Sequence, residues 1–154
     1  MLKEDYTINI IGKQVYDEDC GEVTLSTTGT YSERNGVRFI AYKEYDEDDP
    51  RLSHTAVLKV EPGKVTMIRA GSSTRLILEL GRRHFCYYDT GFATLTVGVF
   101  TSELNAALDS SGGSLEIKYT LDIDSNLSSK NELRVEVAPL PVQRYSGLDV
   151  KPEK

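Results

Sequence analysis

Residues 114–123, SLEIKYTLDI, carry an apolar side chain at every second position. Because successive side chains of a β-strand point to opposite faces, this alternation predicts a strand with one face buried and one face in water. Glu116 and Lys118 are then expected on the exposed face. The buried face is expected to hold Leu115, Ile117, Tyr119, Leu121 and Ile123.

Similar alternating runs recur along the chain, and turn-forming residues separate them. Asn35-Gly36 tolerates the positive φ of a tight hairpin turn, and Pro62-Gly63 and residues 110–113, SSGG, are further turn signals. Short connections favour antiparallel neighbours, since parallel strands need long crossovers. We therefore predict an all-β fold: an antiparallel up-and-down barrel of about eight to ten strands, lipocalin-like or calycin-like. Residues 1–138 are expected to form this single domain.

Two segments depart from the alternation. Residues 102–109 fit either an extension of the eighth strand or a short helix that begins at Ser102 with Glu103 in its first turn, and we expect the extension. From Pro139 onward the alternation stops, and several prolines and a glycine follow. Residues 139–154 are accordingly predicted to form an irregular or disordered C-terminal tail.

Composition restricts the class of protein. The chain has 154 residues, of which 39% are hydrophobic and 27% charged, as in soluble globular proteins. A net charge of −6 argues against nucleic acid as a partner, since phosphate binding needs a basic face. The chain has no apolar run long enough to span a membrane, and its start does not resemble a signal peptide, so we expect a cytoplasmic location. Cys20 and Cys86 lie far apart and are expected to be free thiols.

Polar residues fall in phase with the buried faces near one end of the predicted barrel. In an up-and-down barrel, odd strands end where even strands begin, so these positions converge on one rim. An inward arginine cannot lose its charge and needs a partner, for which Glu44 is the natural candidate to pair with Arg69. The candidate site residues are Gln14, Glu44, His54, Arg69, Tyr88 and Thr90.

Two interpretations of this polar rim stay open. Arg69 and Glu44 could form a structural pair that closes the barrel mouth, with Gln14 and Tyr88 satisfying the remaining donors. Alternatively the cluster orients a small ligand whose apolar part lies deeper in the barrel. A slip of one residue in register would instead place all of these side chains outside.

Other functions have weaker support in the residues. The acidic runs at 17–19 and 46–49 are expected at the same rim, where they could contact a basic protein partner. Neither run has the ligand spacing of a calcium loop, and two histidines with two distant cysteines do not indicate zinc, so no metal or cofactor is expected. An enzyme would have to use Glu44, His54 or Arg69, because neither a nucleophile elbow nor a phosphate loop is present.

The leading hypothesis is therefore a non-enzymatic barrel that binds a small ligand at the polar rim. The alternative is a protein-interaction module with a filled barrel, which would use the acidic rim loops or an edge strand. The sequence does not indicate an oligomeric state.

Several short motifs follow one another in a particular order: Gln14, Tyr42-Lys43-Glu44, Arg69-Ala70-Gly71, Tyr88-Asp89-Thr90, Thr101 and Tyr119-Thr120-Leu121. Their order resembles the YwiB-like family of uncharacterised bacterial proteins with a lipocalin-like barrel. The resemblance extends over about Tyr6 to Val137, and it implies a cytoplasmic barrel without an established activity. The chain departs from the family pattern at residues 91–93, so the turn after the seventh strand is expected to differ.

Overall fold

The computed structural model describes residues 5–16, 18–45, 53–124 and 126–141. Within these residues the chain forms strands and turns, and no helix is long and apolar enough to cross a membrane. The prediction of an all-β fold is confirmed. The strands are β1 (Tyr6–Tyr16), β2 (Asp19–Arg34), β3 (Val37–Tyr45), β4 (Ser53–Glu61), β5 (Lys64–Arg69), β6 (Arg75–Glu79), β7 (Arg83–Asp89), β8 (Thr94–Asp109), β9 (Gly112–Ile123) and β10 (Asn126–Pro139).

The ten strands close into a single antiparallel barrel in which each strand pairs with its neighbours in sequence. Closure comes from β1, which pairs with β2 on one side and with β10 on the other. Tyr6, for example, lies opposite Gly29 of β2 and Pro139 of β10. The predicted up-and-down barrel is therefore confirmed, at the upper limit of the predicted strand number.

The two ends of the barrel differ in their connections. We call the end with the β2–β3, β4–β5, β6–β7 and β8–β9 turns the turn end, and the opposite one the open end. At the turn end, Asn35 and Gly36 have φ values of 54° and 81°, the left-handed conformation that a primed hairpin turn requires. The acidic run 46–49 and Asp17 lie outside the described residues.

Alternating side chains of the strands form the core. Leu115 and Ile117 are 0% and 1% exposed, whereas Glu116 and Lys118 are exposed, so the predicted register of β9 is confirmed. Tyr119 and Leu121 are only partly buried, and burial of Ile123 was a wrong expectation, since this residue is 39% exposed. Ile123 ends β9 at the open end, where fewer side chains pack against it.

The extension of the eighth strand is also confirmed. β8 continues through residues 102–109 to Asp109, with an irregularity in its pairing to β9 between Thr101 and Glu103. β10 ends at Pro139, next to the predicted domain boundary at 138. Residues 142–154 of the predicted tail lie outside the described residues.

Both cysteines are free thiols, as expected. Cys20 is exposed on β2, whereas Cys86 is buried on β7, where burial raises the pKa of its thiol. The backbone N–H of Ile77 donates a hydrogen bond of 3.2 Å to the Cys86 Sγ. Cys86 therefore serves as a small core side chain that also accepts a bond from β6.

Gly29 provides a test of the packing between β1, β2 and β3. A Cβ at this position would collide with the carbonyl oxygen of Ala41 and would lie 2.6 Å from Cδ1 of Ile8. We expect Gly29→Ala to lower the free energy of unfolding by about 1–3 kcal/mol in urea denaturation. The control is Gly12→Ala, whose Cβ meets nothing within 4 Å and which we expect to be neutral or slightly stabilising. Equal stability of the two variants would contradict the described packing.

Candidate ligand-binding site

A cavity of about 280 Å³ lies inside the barrel towards the open end. Its apolar part is formed by inward residues of the strands, among them Ile10, Met67, Leu76, Leu121 and Leu133. The cavity thus combines an apolar interior with convergent polar groups, as ligand sites commonly do. Its polar part contains Gln14, Tyr42, Glu44, Arg69, Tyr88, Tyr119 and Asn131, and the exposed Glu132 lies at its border.

Arg69 and Glu44 form an ion pair at the edge of the cavity, as expected from their phase. The Arg69 Nε donates to Glu44 Oε1 over 2.8 Å, and Nη2 donates to Oε2 over 3.4 Å. Burial opposes the charge of Arg69, but the hydrogen bond and charge of Glu44 outweigh it and raise the pKa of the guanidinium. The two side chains are 32% and 28% exposed, so the pair is half-buried. Arg69 Nη1 has no hydrogen-bond partner among the described residues.

Three tyrosines, Tyr42, Tyr88 and Tyr119, line the cavity near this ion pair. Burial, followed by the charge of Glu44, raises the pKa of Tyr42 far above its usual value. Burial, followed by the proximity of Tyr88, raises the pKa of Tyr119 to about 12. In the part of the chain that the structure describes, the three hydroxyls have no hydrogen-bond partner. Neutral hydroxyl groups therefore line the cavity around a pair whose charges cancel.

Gln14 and Asn131 lie opposite each other on β1 and β10. The Tyr16 hydroxyl donates to Gln14 Oε1 over 2.5 Å. Asn131 is 3% exposed, and its Nδ2 donates to Ser129 Oγ over 3.0 Å and to the Tyr119 carbonyl oxygen over 3.5 Å. Because the carbonyl can only accept, these bonds assign the amide orientation and leave Asn131 Oδ1 buried without a partner.

His54 and Thr90 lie in an adjoining groove rather than in the cavity. The groove has a volume of about 350 Å³ and shares Glu44 and Arg69 with the cavity. His54 is exposed and lies opposite Glu44 in the β3–β4 register. The Thr90 hydroxyl donates to the Ala93 carbonyl oxygen over 3.1 Å and accepts from the Ala93 N–H over 3.2 Å. These two bonds stabilise the β7–β8 turn.

Asp89 connects the two loops beside this groove. Its Oδ1 accepts the Gly91 N–H over 2.8 Å, and its Oδ2 accepts the Ser72 hydroxyl over 3.4 Å. The Gly91 bond, followed by a bond from Ser73, is the main reason why the pKa of Asp89 is lowered against its desolvation. Hydrogen bonds of Asp89 and Thr90 therefore stabilise the β7–β8 turn, in which the sequence departs from the YwiB-like pattern.

The structure brings Gln14, Glu44, Arg69 and Tyr88 together around one cavity and places the other two predicted residues at its mouth. Sequence reasoning missed Tyr42, Tyr119 and Asn131 as lining residues. The phase of Leu133 and Val135 on β10 extends back to Asn131, so this signal was present in the sequence. Among the described residues, no group of three or more His, Cys, Asp or Glu side chains could hold a metal ion.

The fold and the cavity define the class of this protein: a closed ten-stranded up-and-down β-barrel with a polar cavity towards one end. The family model described as Domain of unknown function (DUF1934) matches residues 8–135, and the chain belongs to this family. The crystal structure of the YwiB protein from Bacillus subtilis is similar in fold, with a TM-score of 0.76 and 18% sequence identity. That match covers 90% of this chain and 94% of the YwiB chain. No curated protein matches the chain.

The predicted resemblance to the YwiB-like family is thereby confirmed. At this level of identity the structural likeness concerns the fold alone, and the family description names no activity.

The Arg69–Glu44 pair leads to a prediction about stability. Arg69→Ala leaves the half-buried Glu44 carboxylate without its partner, and we expect a loss of roughly 1–3 kcal/mol in urea denaturation. The double variant Arg69→Met with Glu44→Leu removes both charges and is expected to recover much of that loss. An unchanged stability of Arg69→Ala would contradict a structural contribution of the pair.

Tyr119 leads to a prediction about pH. Its pKa is raised in the folded state from 10.0 to about 12, so its contribution to stability is fully present below pH 10 and is lost as the pH rises towards 12. We expect Tyr119→Phe to reduce the loss of stability over this range by at most about 3 kcal/mol. Thermal unfolding of both proteins at matched pH values measures the difference. Parallel curves for the two proteins would show that Tyr119 titrates normally.

Proposed function

We propose that this barrel binds a small organic molecule in its open-end cavity and does not catalyse a reaction on it. The observation that supports this proposal best is Asn131 Oδ1, a buried acceptor without a partner beside the cavity. An unsatisfied buried polar group costs roughly 1–3 kcal/mol, so a ligand whose donor reached this atom would offset part of that cost. Arg69, which also lines the cavity, offers at Nη1 a donor that Glu44 does not use.

The charges of the cavity favour an uncharged ligand. Arg69 and Glu44 neutralise each other, and the raised pKa values of Tyr42 and Tyr119 keep these hydroxyls neutral. A suitable ligand carries one group that both donates and accepts hydrogen bonds, such as an amide or a hydroxyl. Its apolar body would pack against Met67 and Leu121.

The candidate site residues would then have separate roles. Gln14, Glu44, Arg69 and Tyr88 contact or orient the polar group, and His54 lies at the mouth, where it would meet any part that projects outward. Thr90 would act indirectly, since its hydroxyl is engaged in the β7–β8 loop.

Catalysis is the weaker interpretation of the same residues. Both oxygens of Glu44 already accept hydrogen bonds from Arg69. His54 is exposed and lies outside the cavity. The free thiols of Cys20 and Cys86 agree with a reducing compartment, and we infer a bacterial cytoplasmic location from them and from the bacterial neighbour.

Native mass spectrometry of protein purified from its own host tests the proposal. We expect an additional mass on the native protein that is released on denaturation. Gly12 lines the cavity and has open space at its Cβ position, so Gly12→Leu should fill the cavity and abolish the additional mass while the fold is retained. The control is Lys13→Leu, at an exposed neighbouring position on the outer face of β1.

Three results would contradict ligand binding at this site: no additional mass on the wild-type protein, an additional mass that Gly12→Leu retains, or a loss that is equal in both variants. Circular dichroism melting of the two variants shows that each is folded under the conditions of the measurement.

A further inference from the structure

β8 extends well beyond the strand that pairs with it. The register of β7 with β8 ends at Arg83 opposite Phe100, although β8 continues to Asp109. The β6–β7 turn reaches only to Thr101, which bridges Leu80 and accepts the Gly81 N–H over 2.8 Å. Beyond this point β8 pairs with β9 alone. Among the described residues, the backbone of 103–108 therefore has no partner strand on the side away from β9.

A groove of about 310 Å³ runs along this free edge. Leu104, Ala106 and Leu108 line it from β8. The opposite wall consists of residues from the β2–β3 and β4–β5 hairpins, Gly36, Arg38, Val60, Glu61, Pro62 and Gly63. The unpaired edge is thus recessed between two walls at the turn end, away from the ligand cavity.

This edge has only part of the usual protection against strand pairing, namely the irregularity between Thr101 and Glu103 at its start. Free edges are commonly blocked by lysine or proline, and residues 102–109, SELNAALD, contain neither. Their side chains alternate, with Leu104 and Leu108 towards the groove and Asn105 on the outer wall of the barrel. Such an edge offers main-chain hydrogen bonds together with shallow apolar contacts for alternate residues of an added strand.

The surroundings favour a particular kind of added strand. A recessed edge admits a single extended peptide more readily than the wall of a second barrel. Acidic side chains flank the edge at Glu61, Glu103 and Asp109, and Glu103 pairs with Lys118 over 3.5 Å. Arg38 lines the groove and donates to the Tyr31 hydroxyl over 3.2 Å, which leaves its positive charge in place, so the three carboxylates outnumber the two cations. A basic peptide complements these charges.

We propose that the free edge of β8 binds an extended, basic segment of a partner protein as an additional antiparallel strand along Glu103–Leu108. Apolar side chains at alternate positions of the segment lie in the groove beside Leu104 and Leu108, and its basic side chains face the acidic flanks. This site uses none of the residues of the ligand cavity, so either function can exist without the other.

Hydrogen exchange of the full chain, measured by NMR, tests this proposal with synthetic peptides. The probe is the capped hexapeptide Lys-Val-Lys-Val-Lys-Val, and its control replaces the middle valine with proline, which cannot complete a strand. We expect the probe, but not its control, to slow exchange at alternate amides within 103–108.

Two matched variants locate the contact. Ala106 and Ala107 are both exposed neighbours on β8, but only Ala106 faces the groove. Ala106→Lys places a charge among the apolar contacts and repels the probe, so we expect its affinity to fall at least about tenfold. Ala107→Lys carries the same charge on the outer face and should change the affinity by no more than about twofold.

The proposal is overturned if millimolar probe leaves the exchange of 103–108 unchanged or if the two variants weaken binding equally. It is also overturned if protection of these amides rises with protein concentration in the absence of peptide, because the edge would then pair with a second copy of the chain.

Discussion

The pairing of β1 with β10 is the constraint on which the rest of this structure depends. It runs from Tyr6 opposite Pro139 to Val15 opposite Lys130 and joins the two ends of the sheet. Once the sheet is closed, every strand has a defined inner face, and the alternation of each strand decides which side chains share the interior. The polar cavity follows from this geometry, because Gln14 and Asn131 are brought together by the same β1–β10 register.

Closure also accounts for the difference between the two ends. The turn end is formed by short hairpins and filled by alternating apolar residues, whereas at the open end the same inner faces continue as polar residues. Arg69 follows Val65 and Met67 on one face of β5, and these two are 0% and 8% exposed. The inner face of β5 therefore changes from core to cavity lining within a few residues and without a change of direction.

Phase was sufficient to predict the barrel and the meeting of Arg69 with Glu44, because both depend only on alternation and on the order of strands. It was insufficient where strands end or are irregular. The β9–β10 register shifts between Leu127 and Ser129, and this irregularity hides the start of β10 in the sequence, whereas the phase of Leu133 and Val135 does extend back to Asn131. Ile123 is in phase with buried residues, but phase does not indicate how far the packed interior extends along a strand.

The free edge of β8 could not be predicted for a related reason. It arises from a difference in strand length: sixteen residues in β8 beside seven in β7. Alternation indicates that residues 102–109 are extended, yet it contains no information on whether a neighbouring strand reaches them. Relative strand length is a property of the assembled sheet, and only the structure shows that Glu103–Leu108 keeps an unpaired edge.

The half-buried Arg69–Glu44 pair has a significance beyond stability. Two charges removed from water regain little more than their desolvation cost, and apolar residues of similar volume often replace such a pair without loss. Stability alone therefore gives little reason for an ion pair inside a barrel. The pair does keep a donor, Arg69 Nη1, directed by a fixed partner while the two charges of the pair cancel. A cavity arranged in this way favours a neutral ligand over an anion, since the Glu44 carboxylate repels an anion that approaches the same arginine.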